Sequence, residues 1–516
     1  MAAATVLGKA DPDWFRERLK RLAVCIAFDD VAASTSEGQV ALDLALDMLA
    51  RFYPGIKVLE LGETGQTNAV AVRMKKTAKA IHPFIDLSVS NAKVSCCLVV
   101  GGTRPALDVP TVFLGSEGWT AILRHSEPAG CCDSGNPFGA AAAACIGVAA
   151  LFRKVFAEEL GTSGEEGPLD LDVLHHRTTR SLADPKLPKL IDLGRSHLVG
   201  LGAIGRATCW TLAHVENLSG ELHGIDGEKI DLSNLQRYAG ATQEDVRKGG
   251  RLKTRSVARM FSGNRFSALR FIEHPSLWGE FLRDNPETYL DKVAVALDTV
   301  SARIAVQASL PRHVLNAWTQ PDNLGVSRHF DFDTQACLAC LYLPSGEAKS
   351  LSFLVAENLC LPEPEVRALL HSGYCVDAIF LRRIAEAAKI PLDALLPFVN
   401  QPLRAFYSKA VCGTTHFGAD PNAKRAEAAV PMAFQSVLAG VLLAVELVAD
   451  STPLRTMSMP PLTRLNLLAQ TGSQFLEPAI KHASGRCLCQ DHIYRRAYRK
   501  KFGVARDLGE AFSLVA

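Results

Sequence analysis

Ser196-His-Leu-Val199 runs straight into Gly200-Leu-Gly202-Ala-Ile-Gly205, and a helix-forming stretch, Arg206–Ala213, follows. A short apolar strand feeding three glycines at this spacing predicts a strand–turn–helix unit. The glycines permit a tight turn, close approach of a phosphate to the backbone, and close packing of helix on strand. The helix N-terminus then offers free N–H groups and the positive end of its dipole to an anion. A second strand, Glu221–Ile225, ends at Asp226, twenty-one residues after the last glycine. An acidic group at that place can accept hydrogen bonds from ribose hydroxyls. The glycine pattern alone does not separate hydride transfer on a dinucleotide from ATP chemistry.

The residues that follow separate them. Asp226-Gly-Glu-Lys-Ile-Asp-Leu-Ser-Asn234-Leu-Gln-Arg237 is followed by Lys253, in Gly-Gly-Arg-Leu-Lys-Thr-Arg, and by Asp298, in Ala-Leu-Asp-Thr-Val-Ser-Ala-Arg303. This series resembles the signature of the ubiquitin-activating and ThiF/MoeB-type adenylating enzymes, over roughly 190–344 and 412–490. The resemblance implies that Gly200, Gly202 and Gly205 cradle ATP and that Asp226 holds its ribose. By the same resemblance Asn234, Arg237 and Lys253 contact the triphosphate, and Asp298 holds Mg²⁺. Attack of a carboxylate on the α-phosphate builds charge on phosphoryl oxygens, which Arg, Lys and Mg²⁺ stabilise. Hydride transfer has no use for such a set. The family's Asp-Asn is Asp298-Thr299 here, a looser part of the match.

Cys337-Leu-Ala-Cys340 and Cys487-Leu-Cys489 are two cysteine pairs far apart in sequence, able together to supply four thiolates to a tetrahedral Zn²⁺. ThiF/MoeB-like enzymes carry paired CxxC knuckles at corresponding places; the second pair here is CxC. A structural Zn²⁺ is the expectation. Cys412, in Ala410-Val-Cys-Gly-Thr-Thr-His416, precedes a segment from Val430 to Glu446 that resembles the helix after the family's crossover loop. In those enzymes the cysteine before that helix takes the acyl group. A thiolate suits the step because it is strongly nucleophilic and its thioester stays reactive toward a second thiol. Thr414, Thr415 and His416 are candidates to position or deprotonate the reactants. Cys360 and Cys375 are the rival nucleophiles.

Working outward, the first ~150 residues alternate strand-like and helix-like runs, as expected of a parallel sheet covered by helices. The strand-like runs are Leu22–Phe28, Ile56–Leu61, Val94–Val100 and Thr111–Leu114; the helical ones are Glu37–Phe52 and 139–157. The first strand-to-helix turn, Asp29-Asp-Val-Ala-Ala-Ser-Thr-Ser, lacks a glycine fingerprint for phosphate; if this unit is a nucleotide fold, its site has decayed. Asn136-Pro-Phe-Gly echoes the helix near Gly440. Activating enzymes pair an active with a degenerate half, and the degenerate half commonly lends an arginine to its neighbour's ATP; Arg51 is the candidate. The expected class is therefore α/β: a Rossmann-like adenylation domain with a degenerate second adenylation-like half and a mainly helical, cysteine-bearing insert. The expected boundaries are 1–157 for the degenerate half, 158–188 for a linker, 189–344 and 416–516 for the adenylation domain, and 345–415 for the insert.

The formal net charge of +2 and the absence of a dominant Lys/Arg stripe exclude a dedicated nucleic-acid binder. The basic run Arg495, Arg496, Arg499, Lys500 and Lys501 reads as a solvated helix face. No secretory signal is legible, and the apolar runs Phe138–Phe152 and Val437–Val445 read as buried helices rather than membrane spans. Fourteen cysteines without a signal point to ligands, nucleophiles and core thiols of a cytoplasmic protein rather than a disulfide framework. The implied function is ATP-dependent activation of a ubiquitin-like protein, with a thioester on Cys412 passed to a conjugating enzyme; a homodimer is allowed. The compactness resembles bacterial relatives encoded with ubiquitin-like defence systems. The alternatives are adenylation of a sulfur-carrier protein or peptide without conjugation, and, more distantly, a catalytically dead scaffold.

Overall fold

Two sheets with one shared strand order organise the first of two units in this computed structural model. The structure describes residues 7, 12–161, 166–178, 185–262, 268–286, 289–320, 323–343, 351–388, 391–407, 431–470 and 475–503. Residues Met1–Leu343 and Pro431–Ala516 make one unit, and Pro344–Val430 the other.

In the N-terminal half, β1 (Ala23–Phe28), β2 (Gly55–Glu60), β3 (Val94–Val100), β4 (Thr111–Glu117), β5 (Thr120–Arg124) and β6 (Leu169–Asp172) lie in the order β2-β1-β3-β4-β5-β6. The first four are parallel; β5 and β6 run antiparallel to their neighbours. Every residue of β1 is buried, as a strand covered on both faces requires. Helix α1 (Ser36–Ala50) starts at Thr35, whose hydroxyl accepts from Gly38 N. Helix α2 (Pro137–Val155) starts at Asn136, whose side chain accepts from Phe138 N, with Pro137 at the first helical position.

The C-terminal half repeats the plan. Its strands are β7 (Ile191–Val199), β8 (Leu218–Ile225), β9 (Arg270–His274), β10 (Lys292–Val295), β11 (His313–Thr319), β12 (Leu324–His329), β13 (Leu462–Leu465) and β14 (Leu476–Glu477). They are ordered β14-β13-β12-β11-β10-β7-β8-β9. The inner run β8-β7-β10-β11-β12-β13 has the same order and the same three parallel then two antiparallel pairings as β2-β1-β3-β4-β5-β6. Helices here are α3 (Ala203–Leu212), α4 (Lys253–Phe261), α5 (Val300–Ala308), α6 (Ala433–Asp450) and α7 (His492–Phe502). Helix α6 stands where α2 stands in the first half, between the fifth and sixth strands of the shared order.

Helices α2 and α6 are both apolar all round, pack on each other and are almost wholly buried. By length and composition each could cross a membrane, yet 89% of each apolar window lies inside the molecule, as expected for core helices. Glu446, fully buried in α6, receives paired hydrogen bonds from Arg328 on β12 and Arg455, and lies 3.1 Å from His176 Nε2. His176 follows β6, so this charged knot joins the connector between the halves to the second sheet. Burial, then the charge of Arg328, holds its imidazole down to about 4.

Three expectations need correction. The stretch 158–188, read as linker, contains β6, because Leu169-Asp-Leu-Asp pairs with β5 and buries Leu171. The glycine strand begins at Ile191 rather than Ser196, because its mixed first half pairs with β8. The basic face of α7 is not simply solvated: Arg495 and Arg499 each reach Asp333 at 2.6 Å, and Lys501 donates to the carbonyls of Ser309 and Leu310.

The second unit is helical, with Leu351–Leu359, Glu363–Ser372 and Ala378–Ala388 around Val355, Leu359, Val366, Leu381 and Ile384. Cys360 and Cys375 are exposed there. Cys412, with Thr414, Thr415 and His416, lies outside the described residues.

Candidate active site

From β7 the chain steps outward through β8 and β9, then returns to β10 on the other side of β7. A crevice therefore opens at the carboxyl ends of β7 and β10, where open α/β sheets bind ligands. Gly200 follows β7 with φ +90, and a Cβ there would stand 2.6 Å from the Ala296 carbonyl oxygen. A Cβ on Gly205 would stand 2.0 Å from the oxygen of Gly200, so α3 could not lie this close to its strand. Gly202 caps α3, and a Cβ there would meet only the Tyr238 hydroxyl, at 3.6 Å. Two glycines thus let protein pack on protein, and the third leaves space before the helix N-terminus.

Asp226, at the end of β8, is tied to this loop: one carboxylate oxygen accepts from Leu201 N at 2.8 Å and the other from Glu228 N at 2.9 Å. Lys253 opens α4 and is 6% exposed. Its Nζ lies 2.5 Å from Glu228 and 3.6 Å from Asp226, with the Tyr238 ring 5.9 Å away. Burial opposes its charge, but Tyr238, Asp226 and Glu228 outweigh burial and hold the ammonium above its usual range. A fixed cation beside an acidic strand end and a helix N-terminus suits a phosphate chain that would displace the exposed Glu228 carboxylate.

Asn234 lies in the one-turn helix Leu232–Gln236 and forms a reciprocal cap with Asp231, each side chain accepting from the other's backbone N–H at 3.1 Å. Arg237 follows, its guanidinium 6.0 Å from the Tyr238 ring. The loop under it is braced from both halves. Arg51, at the end of α1, donates to the carbonyls of Leu235 at 2.6 Å and Ala241 at 2.9 Å, and Arg206 donates to that of Ala239 at 2.6 Å. Asp298 is exposed just beyond β10, on the neighbouring strand end.

Gly200, Gly202, Gly205, Asp226 and Lys253 thus sit together. Asn234 and Arg237 occupy the turn that follows Asp226, and Asp298 the end of the next strand. Glu228 and Tyr238, adjoining Lys253, were missed in the sequence. Their only signal was their closeness in the chain to Asp226 and Arg237.

The corresponding place in the N-terminal half, at the carboxyl ends of β1 and β3, is filled by the chain itself. The Asp29 carboxylate accepts from Ala32 N at 3.0 Å, Gly102 N at 2.7 Å and Thr103 Oγ1 at 2.9 Å. A fixed carboxylate takes the donors a phosphate would need and repels it.

Cys337, Cys340, Cys487 and Cys489 converge, all buried, with their sulfurs within 4.8 Å of one another. Cys340 Sγ lies 3.3 Å from Cys487 Sγ and 3.4 Å from Cys489 Sγ, and Cys337 Sγ lies 3.6 Å from Cys487 Sγ. The His482 N–H points at Cys340 Sγ, 3.4 Å away. Four soft donors at this separation fit a tetrahedral thiophilic ion such as Zn²⁺.

A ThiF family match falls on the half that carries this site. The sequence model of the ThiF family matches residues 176–449, and that of Prokaryotic E2 family C matches residues 27–157. The "Uncharacterized protein y4jF" of Sinorhizobium fredii (strain NBRC 101917 / NGR234) is 42% identical over 504 residues, 97% of this chain and 95% of that protein. Among solved structures, E. coli MccB with ATP aligns over 57% of this chain and 66% of its own, at 12% identity and a TM-score of 0.33. PaaA aligns over 55% and 73%, at 12% identity and a TM-score of 0.31. The chain thus spans just under two-thirds of MccB's length. The ThiF match covers more than half of the residues, including the glycine loop, the S-N-L-Q-R turn, Lys253 and Asp298, and this chain belongs to the ThiF family of adenylating enzymes.

Proposed function

We propose that this enzyme activates a ubiquitin-like protein and passes it to a conjugating enzyme. The observation that carries the reading is the gathering of the glycine loop, Asp226, Lys253 and Asp298 at the carboxyl ends of β7, β8 and β10. In the first step a carboxylate oxygen of the partner's C-terminus attacks the α-phosphorus of ATP. The bond from that phosphorus to the bridging oxygen breaks, and pyrophosphate leaves. Lys253, Arg237 and the N-terminus of α3 bind and orient the phosphates, and Asp226 binds the ribose. Mg²⁺, held by Asp298, would supply neutralising charge on the phosphoryl oxygens. In the second step the Cys412 thiolate attacks the acyl carbon, AMP leaves with the carboxyl oxygen, and the thiol proton goes to solvent.

The N-terminal half acts as the degenerate adenylation-like half, supported by its repeated strand order and by Asp29 in place of phosphate. The match of residues 27–157 to Prokaryotic E2 family C favours a conjugation system over adenylation alone. The four cysteines would hold a structural Zn²⁺, tying residues 487–489 to the turn at 337–340.

Incubating the enzyme with ATP, Mg²⁺ and the cognate ubiquitin-like protein is expected to give a covalent species that a strong thiol reductant removes. Cys412→Ala should lose it, and Cys360→Ala and Cys375→Ala should keep it. Persistence in Cys412→Ala with loss in either of the others would move the nucleophile into the helical unit. Robust adenylation with no trappable thioester would favour the sulfur-carrier or peptide-modifying reaction.

A further inference from the structure

Arg303, five positions after Asp298, does not face the nucleotide crevice; it is buried on α5, 6% exposed. It donates to the carbonyl of Leu297, the residue before Asp298, and, at 2.9 Å, to Asn316 Oδ1 on β11. Asn316 Nδ2 donates to Ser327 Oγ on β12 at 3.1 Å. Ser327 Oγ lies 3.0 Å from His329 Nε2, and His329 Nδ1 lies 2.8 Å from the carbonyl oxygen of Ala336, which precedes Cys337. The carbonyl can only accept, so His329 carries its proton on Nδ1 and Ser327 donates to Nε2. The Tyr342 hydroxyl braces both Arg303 and Asn316. One turn further along α5, Gln307 Oε1 accepts from Leu338 N, just after Cys337, at 2.8 Å.

Every bond in this chain donates the same way, outward from an arginine that has only donors to a carbonyl that can only accept. Such chains polarise each link in turn, and in a buried setting a broken link leaves unpaired groups on both sides. Asn316 and Ser327 are direct partners across β11 and β12 and are wholly buried. Two apolar residues would serve packing there as well, without the risk of an unmet donor. What the polar chain supplies is a single arrangement of its two ends: the backbone that carries Asp298 and the backbone that carries Cys337.

We propose that this chain is a positioning relay, by which the four-cysteine cluster, when it holds its metal, fixes the loop of Asp298 for Mg·ATP. The relay rests on the reading of the nucleotide site given above. Arg303, Asn316, Ser327 and His329 act through the carbonyls of Leu297 and Ala336, to which the two ends of the chain donate.

The test is calorimetric titration of Mg·ATP into wild type, Ser327→Ala and Ser327→Thr, each metal-loaded and after removal of the metal by a chelator, with metal content measured throughout. Metal removal from wild type should weaken Mg·ATP binding about tenfold, a usual size for coupling between sites. Ser327→Ala should show a similar loss while its metal is retained, and chelation should then add little. Ser327→Thr, which keeps the hydroxyl, should behave as wild type. If Ser327→Ala does not fold, Tyr342→Phe carries the same comparison. Wild-type binding that ignores metal removal, or a chelation effect equal in wild type and Ser327→Ala, would overturn the relay alone. Metal-loaded wild type that binds no Mg·ATP would overturn the nucleotide site and the relay with it.

Discussion

Arg51 shows how a single side chain of one half can brace a loop of the other. Its side chain is 1% exposed, pairs with Asp47 through two contacts of 2.8 and 2.7 Å, and donates to the carbonyls of Leu235 and Ala241, on either side of Arg237. Asp47 also accepts from Gly240 N at 2.9 Å, so both members of the pair grip one loop of the other half. Truncating one partner leaves the other charge buried and uncompensated. Arg51→Ala is therefore expected to cost about 3–5 kcal/mol in urea unfolding. The double variant Arg51→Ala, Asp47→Ala should be less destabilised than the sum of the two single changes. Strict additivity would mean that the pair is not energetically coupled. In the sequence Arg51 is the candidate arginine lent to the neighbouring half's ATP, and its grip on the carbonyls of Leu235 and Ala241 is not legible there. Periodicity places it at a helix end and does not show which carbonyls lie opposite.

At the scale of elements, the cysteine knuckles are short helical turns that begin at Cys337 and Cys487. The second turn brings the sulfurs of Cys487 and Cys489 into one cluster with those of Cys337 and Cys340 despite their closer spacing. If the cluster holds zinc, metal analysis should return about one Zn per chain, and Cys337→Ser should lose the metal and lower the melting temperature, because the energy of binding adds to that of folding. A native protein free of metal, with an unchanged melting temperature in the variant, would contradict this. The elements that bear the site were legible because each carries a local signal: glycines at a turn, an acid at a strand end, paired cysteines. Strand β6 was not, because four alternating residues beside glycine and proline read as loop until β5 pairs with them. The relay through Arg303, Asn316, Ser327 and His329 was equally hidden. Its members lie on three elements and have no common spacing.

Over the whole molecule, the two halves share one strand order and each has a central apolar helix, yet they differ at the turn after the first strand of each. Where the second half presents a glycine loop and Lys253, the first presents Asp29 locked to its own backbone. The asymmetry predicts a single nucleotide per chain, bound at the carboxyl ends of β7 and β10. The most direct measurement of this account is exchange of labelled pyrophosphate into ATP, in the presence of Mg²⁺ and the cognate protein acceptor. Wild type should exchange, and Asp298→Ala should lose at least about 100-fold in rate, the scale of removing one group that stabilises a transition-state charge, with its unfolding midpoint unchanged. Wild-type exchange by Asp298→Ala would remove that residue from the site, and no exchange by the wild-type enzyme with its acceptor would contradict adenylation itself.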